Sequence, residues 1–354
     1  MFRCLLQTFL ILLSTSGYCQ KNERPFLLYL QNVNIAENYI INGSYDSAIV
    51  SYQAAFNLHK PLAVDIYNAF LVAKESKDRF AAEQFLWKLA GKGVGRSFFE
   101  KNRYINSYRN NSNWKKWLSK ADSEKMKIRI ANQEVISRIE RISYSAENLY
   151  RIWVKSLEGK TGTKETDFEL RLDEQNNSLI DSLLSIINQF GYPSEERIGV
   201  RIVNDTNILS EPVFSKIILR GYSKPNGIGG GTFDEILKNA IDSGFIKPFF
   251  FARMHDYKHY QNYTPYGTSF FTGLGGKIYY SDKDDISQIE ENRRQIGLSS
   301  LLEYAKIVQY TLLNKGSSFI FDALFTIQDR LLDTEKDQLE YIQNHKEYVP
   351  ANFE

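Results

Sequence analysis

"AENYIINGSYDSAIVSYQAAFNLHKP", Ala36 to Pro61, decides the fold class. Small residues recur at Ala36, Ala48 and Ala55, tyrosines at Tyr39, Tyr45 and Tyr52, with Gly43 between them and Pro61 closing the stretch. Alanines let two helices approach closely, a glycine permits a tight reversal, and the phenol rings fill the space alongside. A helical hairpin is therefore expected. The next stretch, "VDIYNAFLVAKESKDRFAAEQFLWKLAGKG" from Val64, carries Ala69, Ala73, Ala81, Ala82, Phe85 and Leu89 at helical spacing but lacks the turn glycine.

These two stretches resemble degenerate tetratricopeptide repeats. The resemblance implies a helical-repeat-like N-terminal segment over residues 20–108 that leans on the remainder of the chain, because a free solenoid needs about three repeats or more. It also implies a protein or peptide partner, since concave repeat faces bind such ligands.

Upstream, "MFRCLLQTFLILLSTSGYCQ" has one basic residue, Arg3, an apolar run from Leu5 to Leu13, then small and polar residues. This reads as a signal peptide over residues 1–19, with Gly17 and Cys19 at the positions a peptidase inspects. Export to a periplasmic or extracellular location is expected, with removal of the leader preferred over lipid anchoring through Cys19, whose neighbour Tyr18 is bulky. Cys4 and Cys19 leave with the leader, so the mature chain has no thiol for a disulfide, nucleophile or thiolate metal site. No other stretch has the roughly 18 apolar residues of a membrane span, so the mature chain is not expected to be integral to a membrane. With 44 basic against 42 acidic residues and a formal charge of +2, nothing steers nucleic acid, which is set aside as a partner.

Residues 109–165 read as a connector and then a long helix. The connector, "RNNSNWKKWLSKADSEK", allows a short amphipathic helix around Trp114 and Trp117. From Glu124 a longer helix is expected, its seam running through Val135, Ile139, Ile142, Ala146, Leu149 and Trp153 until "KTGT" at Lys160 to Thr163. Leu179, Leu183, Ile186, Ile187 and Phe190 mark the next helix, which Gly191 and Pro193 stop. "KPNGIGGGTFDEILKNAI" lacks the lysine-serine/threonine ending of a phosphate-binding loop, and Thr232 with Glu235 fits a capping box at a helix start. Pro248 suits a first helical turn. "SFFTGLGGKIYY" reads as a β-hairpin turning at Gly273, Gly275 and Gly276. Helices are expected around Ile286 to Gln295, Ser300 to Leu313 and Ile320 to His345, the last within a C-terminal helix and tail over residues 314–354. The fold class is mainly α with a small β-hairpin.

The polar residues concentrate in "FARMHDYKHYQNYTPYGTSF", Phe251 to Phe270. His255, Asp256 and His259 form H-D-x-x-H, one carboxylate away from the H-E-x-x-H of zinc peptidases. Aspartate is a methylene shorter than the usual base, Lys258 adds a repelling charge, and no third ligand is indicated, so no metal is expected. No motif implies a cofactor. No G-x-S-x-G elbow exists, and Asp284 with Asp285, or Glu195 with Glu196, read as helix N-terminal or solvated charges. The 22 tyrosines can line a groove or fill a core with a polar tip outward.

From about Arg171 to Tyr310, "SLLSIINQFGYPSEERIGV", "YGTSFF" and "IEENRRQIGLSSLLEYAK" occur in an order and spacing similar to the bacterial family catalogued as domain of unknown function 6624. The resemblance implies one domain, residues 166–313, of the kind found in secreted or membrane-associated proteins, with no established activity. It carries over to Asp256, Tyr266, Gly267, Thr268, Arg293 and Arg294. The chain departs from the pattern at Gly221, where the family has a histidine, at Tyr257 in place of arginine, and at Ser269 in place of glutamine.

Three functional readings are open. The first is an exported binding or interaction protein with a protein or peptide partner. The second is an envelope-associated hydrolase with His255 and Asp256 as catalytic candidates, Tyr266 and Thr268 beside them, and Arg293 or Arg294 holding an anion. The third is a purely structural module in which Asp256 and the arginines form buried ion pairs.

Overall fold

In the computed structural model, the residues described are 24–157, 165–222, 230–259, 264–269, 271–272, 277–281, 285–323 and 348–350. Helices α1 (Pro25–Ile41) and α2 (Tyr45–Leu58) form the expected hairpin, with Gly43 at φ 71° in its turn. Ala36, Ala48 and Ala55 are fully buried, which is what lets the two axes close on one another. Helices α3 (Ala63–Glu75) and α4 (Arg79–Gly91) form the second hairpin, and Lys77 takes φ 62° where the glycine is missing. A side chain in that left-handed region costs about 1–2 kcal/mol. The Asp78 carboxylate offsets part of it by accepting from Ala81 N–H at 2.9 Å, capping α4. Short helices α5 (Arg96–Lys101) and α6 (Arg103–Asn106) complete this end.

The connector is more ordered than its polarity suggests. Helix α7 runs Trp114–Ala131, so the short helix around Trp114 and the expected start at Glu124 are both corrected; the break falls at Asn132 and α8 is Gln133–Leu157. Trp117 and Ala121 bury one stripe of α7 against α4 and anchor the polar remainder. Val135, Ile139, Ile142 and Ala146 of α8 are buried as the seam requires, facing α9 (Glu165–Phe190). Lys160 to Thr163 lie outside the described residues. Gly191, at φ 74°, ends α9 where expected, and the short α10 (Glu195–Ile198) comes next.

Two small antiparallel sheets stand where one β element is expected. Strands β1 (Ile202–Val203) and β2 (Asn207–Ile208) pair Ile202 with Ile208 across Asn204 and Asp205, both at positive φ. Asparagine and aspartate tolerate that region, and two such residues in succession make a tight hairpin turn. Helices α11 (Ser215–Tyr222), α12 (Gly230–Asp242) and α13 (Pro248–His259) are next along the chain. Helix α12 begins at Gly230, so Thr232 lies in its first turn rather than at a cap. Strand β3 (Phe271–Thr272) pairs with β4 (Ile278–Ser281), and β5 (Tyr348–Pro350) adds to the other edge of β4. The turn glycines Gly273, Gly275 and Gly276 lie outside the described residues. Helices α14 (Ile286–Ile296) and α15 (Leu301–Leu313) match expectation, and Ser300 with Glu303 forms a capping box on α15.

The expected helix from Ile320 does not start there: Ile320 to Ala323 are not helical, and residues 324–347 lie outside the described set. The reason is local. The buried Asn68 amide donates to Ile320 C=O at 2.7 Å and accepts from Ile320 N–H at 2.9 Å, bonding both backbone groups a helix would use. Phe319 stacks on Tyr45 and Phe321 packs edge-on to Tyr310.

One hydrophobic core runs continuously from Phe26 to Met254, across the boundaries drawn at residues 108 and 165. A smaller cluster joins Phe249, Ile278, Ile289, Leu301 and Tyr304. Between the N-terminal hairpins and the C-terminal half lies a buried polar junction. Lys247 Nζ is 2.7 Å from Asp65, 3.2 Å from Glu37 and 3.6 Å from Asp322. The Tyr29 hydroxyl donates to Asp65, and the Ser210 hydroxyl to Asp322 at 2.5 Å. Burial alone would pull the Lys247 ammonium down, but Asp65, Glu37 and Asp322 outweigh it and hold its pKa well above the ordinary value. Removing one member of such a buried pair costs about 3–5 kcal/mol, so the junction pins the halves together. Among the described residues no helix is long and apolar enough to cross a membrane.

Candidate functional site

Helix α13 brings His255 and Asp256 to adjacent positions whose side chains go to different neighbours. Asp256, 2% exposed, accepts from the N–H of Tyr266 at 2.7 Å, the N–H of Thr268 at 2.6 Å and the Thr268 hydroxyl at 2.7 Å. Burial raises its carboxyl above the ordinary range, against the opposing pull of those bonds and of Arg293. Arg293, on the inward face of α14 and 1% exposed, donates from Nη1 to Tyr266 C=O at 2.6 Å and from Nε to Ser299 C=O at 2.7 Å. The Tyr304 hydroxyl donates to Thr268 C=O at 2.8 Å, and the Arg293 guanidinium lies 4.9 Å from the Tyr304 ring centre.

The Y-G-T turn is thus gripped from every side. Asp256 takes the N–H of Tyr266 and Arg293 its C=O, so the two charges act through one backbone residue rather than by direct pairing. Gly267, at φ 57°, has the Leu301 side chain 2.7 Å from where a Cβ would sit, so any other residue is strained there and must displace Leu301. Four positions picked out by family resemblance, Asp256, Tyr266, Thr268 and Arg293, therefore converge, and they converge on the protein's own main chain. Arg294, one residue on, faces outward and pairs with Glu291 at 2.7 Å.

His255 belongs to another group. Its Nε2 lies 2.8 Å from Asp234 of α12, to which the Tyr222 hydroxyl also donates, and its ring contacts Phe251 and Tyr266. Burial pushes the Asp234 carboxyl up, yet the bonds from His255 and Tyr222 leave it below the ordinary range. Burial, with Asp256 and Asp234 nearby, raises the Tyr266 phenol to about 12, so it stays protonated. The hydrolase reading needs His255, Asp256 and an arginine to face one open cleft. Asp256 and Arg293 are instead sealed, Arg294 is on the surface, and His255 is held by Asp234. Among the described residues no group of three or more His, Cys, Asp or Glu is placed to hold a metal ion, and the side chain of His259 is outside that set.

Gly221 is buried in α11, with Phe233 2.9 Å from the position of a Cβ, so the site leaves no room for a side chain.

Open surface lies elsewhere. The inner face of the two N-terminal hairpins is covered by the chain itself: α3 is buried without interruption from Ala63 to Ala73, Ile320 is bonded to Asn68 of α3, Phe319 stacks on Tyr45 of α2, and α15 packs on α1. The outer face of α4 shows the opposite character. Phe80, Gln84 and Trp87 form one stripe, with Phe80 74% and Trp87 46% exposed. Beside it, Asn113, just before α7, and Lys116 and Trp117 of α7 complete a shallow depression of about 610 Å³. Lys120 sits 5.1 Å from the Trp87 ring centre. Glu83, the acid in the lining, is taken up by Arg79, Asn111 and Asn113.

Sequence reading overlooked three features. The exposed stripe was visible as Phe80 and Trp87 seven apart on an otherwise amphipathic helix. Glu195, read as a helix N-terminal or solvated charge, does open α10, but it is half-buried and accepts from Ala63 N–H at 3.1 Å and from Lys92 at 3.4 Å, capping α3 from 132 residues away. No local signal announces that, nor a deeper groove of about 300 Å³ around Tyr192 and Arg201. No family model, curated protein or solved structure matches the chain.

Proposed function

We propose that the chain is an exported, non-catalytic binding protein that docks a protein partner on the outer face of its second helical hairpin. The exposed Phe80–Trp87 stripe carries this reading. Two large aromatic rings held open to water on one helix face, beside Lys88 and Lys116, make an amphipathic surface of the kind that interfaces bury. Its charge suits a partner segment that alternates acidic and apolar side chains. The tetratricopeptide-like pattern supports a protein partner, with one revision. The chain fills the inner repeat face itself, so docking uses the outer face.

For the C-terminal half the sealed Asp256–Tyr266–Arg293 clamp favours bracing over chemistry, which keeps the structural reading for that part. Capture from the native envelope with immobilised wild type and with the Phe80→Ser/Trp87→Ser variant tests the docking. The proposal expects a partner retained by wild type and lost by the variant at unchanged melting temperature. Equal retention overturns it. The export component is tested by mass spectrometry of the mature N-terminus: a chain starting at Gln20 is expected, and one retaining Met1 contradicts it.

A further inference from the structure

The motif "GYPSEERIG" takes no part in the proposed docking surface, yet the structure gives it a place: Tyr192, Ser194, Ile198 and Gly199 line the groove of about 300 Å³. That volume is at the lower end of the range for small-ligand sites. Ile136 and Ile139 of α8 form one wall and Phe245 another. Such walls suit an apolar body of roughly ten non-hydrogen atoms.

Two polar groups distinguish the groove from a mere packing defect. The Tyr192 side chain is 8% exposed, and its hydroxyl is enclosed with no hydrogen-bond partner among the described residues. Arg201 is half-buried on the lining, pinned through Nη1 to the carbonyls of Glu211 at 3.1 Å and Pro212 at 3.0 Å. Among the described residues no carboxylate pairs with it. A guanidinium held by carbonyls keeps its full positive charge, with donors beyond Nη1 to offer. Glu211 and Glu147 act on it at a distance, but no acid of the lining pairs with it, and most are engaged elsewhere. Glu195 is engaged by Lys92 and Ala63, Glu211 by Arg253, and Glu140 is exposed.

The geometry points to a binding site for a small monocarboxylate with an apolar body, its head on Arg201 and its body against Ile136, Ile139 and Phe245. Fatty acids and the C-termini of apolar peptides share that chemistry. The site is independent of the docking surface on α4.

Calorimetric titration of the wild-type chain with decanoate, decanol, N-acetyl-Leu-Leu and its C-terminal amide tests the assignment. Saturable binding of at least one carboxylate is expected, about tenfold or more tighter than its neutral counterpart. Whether decanoate or the dipeptide binds tighter identifies the source. Arg201→Gln should erase the gap between charged and neutral ligands, and Val200→Trp, which fills the groove, should abolish binding of both. Equal affinity for carboxylate and neutral partner overturns the anion site, and no saturable binding of any probe at millimolar concentration overturns the groove. Both readouts come from the wild type, so a misfolded variant leaves the test intact.

Discussion

Replacing Glu37 by glutamine isolates the titration of the buried junction between the two halves. Glu37 faces Lys247, Asp65 and Asp322, with its side chain 9% exposed. Burial pushes its carboxyl from 4.5 up to about 7; Lys247 opposes the shift, while Asp65 and Asp322 add to it. A folded-state value above the unfolded one means that folding takes up a proton between them. The stability contribution is therefore complete below about 4.5 and is lost as pH rises through about 7. At 1.36 kcal/mol per unit the whole shift corresponds to about 3 kcal/mol, of which about 2–3 kcal/mol falls between about pH 5 and pH 8. Glutamine keeps the shape and the acceptor but cannot ionise. Urea unfolding of wild type and variant at those two pH values supplies the comparison, and taking the difference removes other titrations common to both, such as Glu195. The variant should gain about 2–3 kcal/mol on the wild type as pH rises. Parallel pH profiles would refute the reasoning, and a wild type that gains on the variant would show that Lys247 controls Glu37 instead of burial.

Asp256→Ala should lower stability by about 2–4 kcal/mol, because it leaves the N–H groups of Tyr266 and Thr268 and the Thr268 hydroxyl without their acceptor; denaturant unfolding measures it. Thr268→Val removes only the hydroxyl and should cost about 1–2 kcal/mol in the same assay. In α11, Gly221→Ala places a methyl against Phe233 and should cost about 1–3 kcal/mol, whereas the same change at Gly231, with open space around its Cβ position, should be close to neutral. Loss of both bonds to Ile320 in Asn68→Ala should raise amide hydrogen exchange in residues 319–322 well before global unfolding.

Local periodicity made the helices legible, because each apolar stripe is a property of neighbouring residues. Ala36, Ala48 and Ala55 announce the first hairpin, and Gly191 with Pro193 announces the end of α9. Where the reading failed, a distant partner decides. Helix α7 is held by Trp117 and Ala121 against α4, so a polar stretch becomes helical. Ile320 is kept out of a helix by Asn68, 252 residues earlier.

The candidate site divides the same way. Order and spacing singled out Asp256, Tyr266, Thr268 and Arg293 as a group, and they do meet. They meet around a backbone turn instead of around a ligand, which a sequence motif does not reveal because it records proximity without direction. Arg294 came with Arg293 from the same resemblance and His255 from the H-D-x-x-H pattern, yet consecutive side chains on a helix point about 100° apart, so Arg294 faces Glu291 and His255 faces Asp234. The junction of Glu37, Asp65, Lys247 and Asp322 had no signal at all, its members being ordinary charges until burial brings them together.

Docking on the outer stripe of α4 can be read out by site-specific photo-crosslinking in native cells. A photoreactive residue at Gln84, between Phe80 and Trp87, should yield a discrete crosslinked protein. The same probe at Tyr144, 71% exposed on α8, should not. No product at Gln84, or the same product at both positions, would contradict the account.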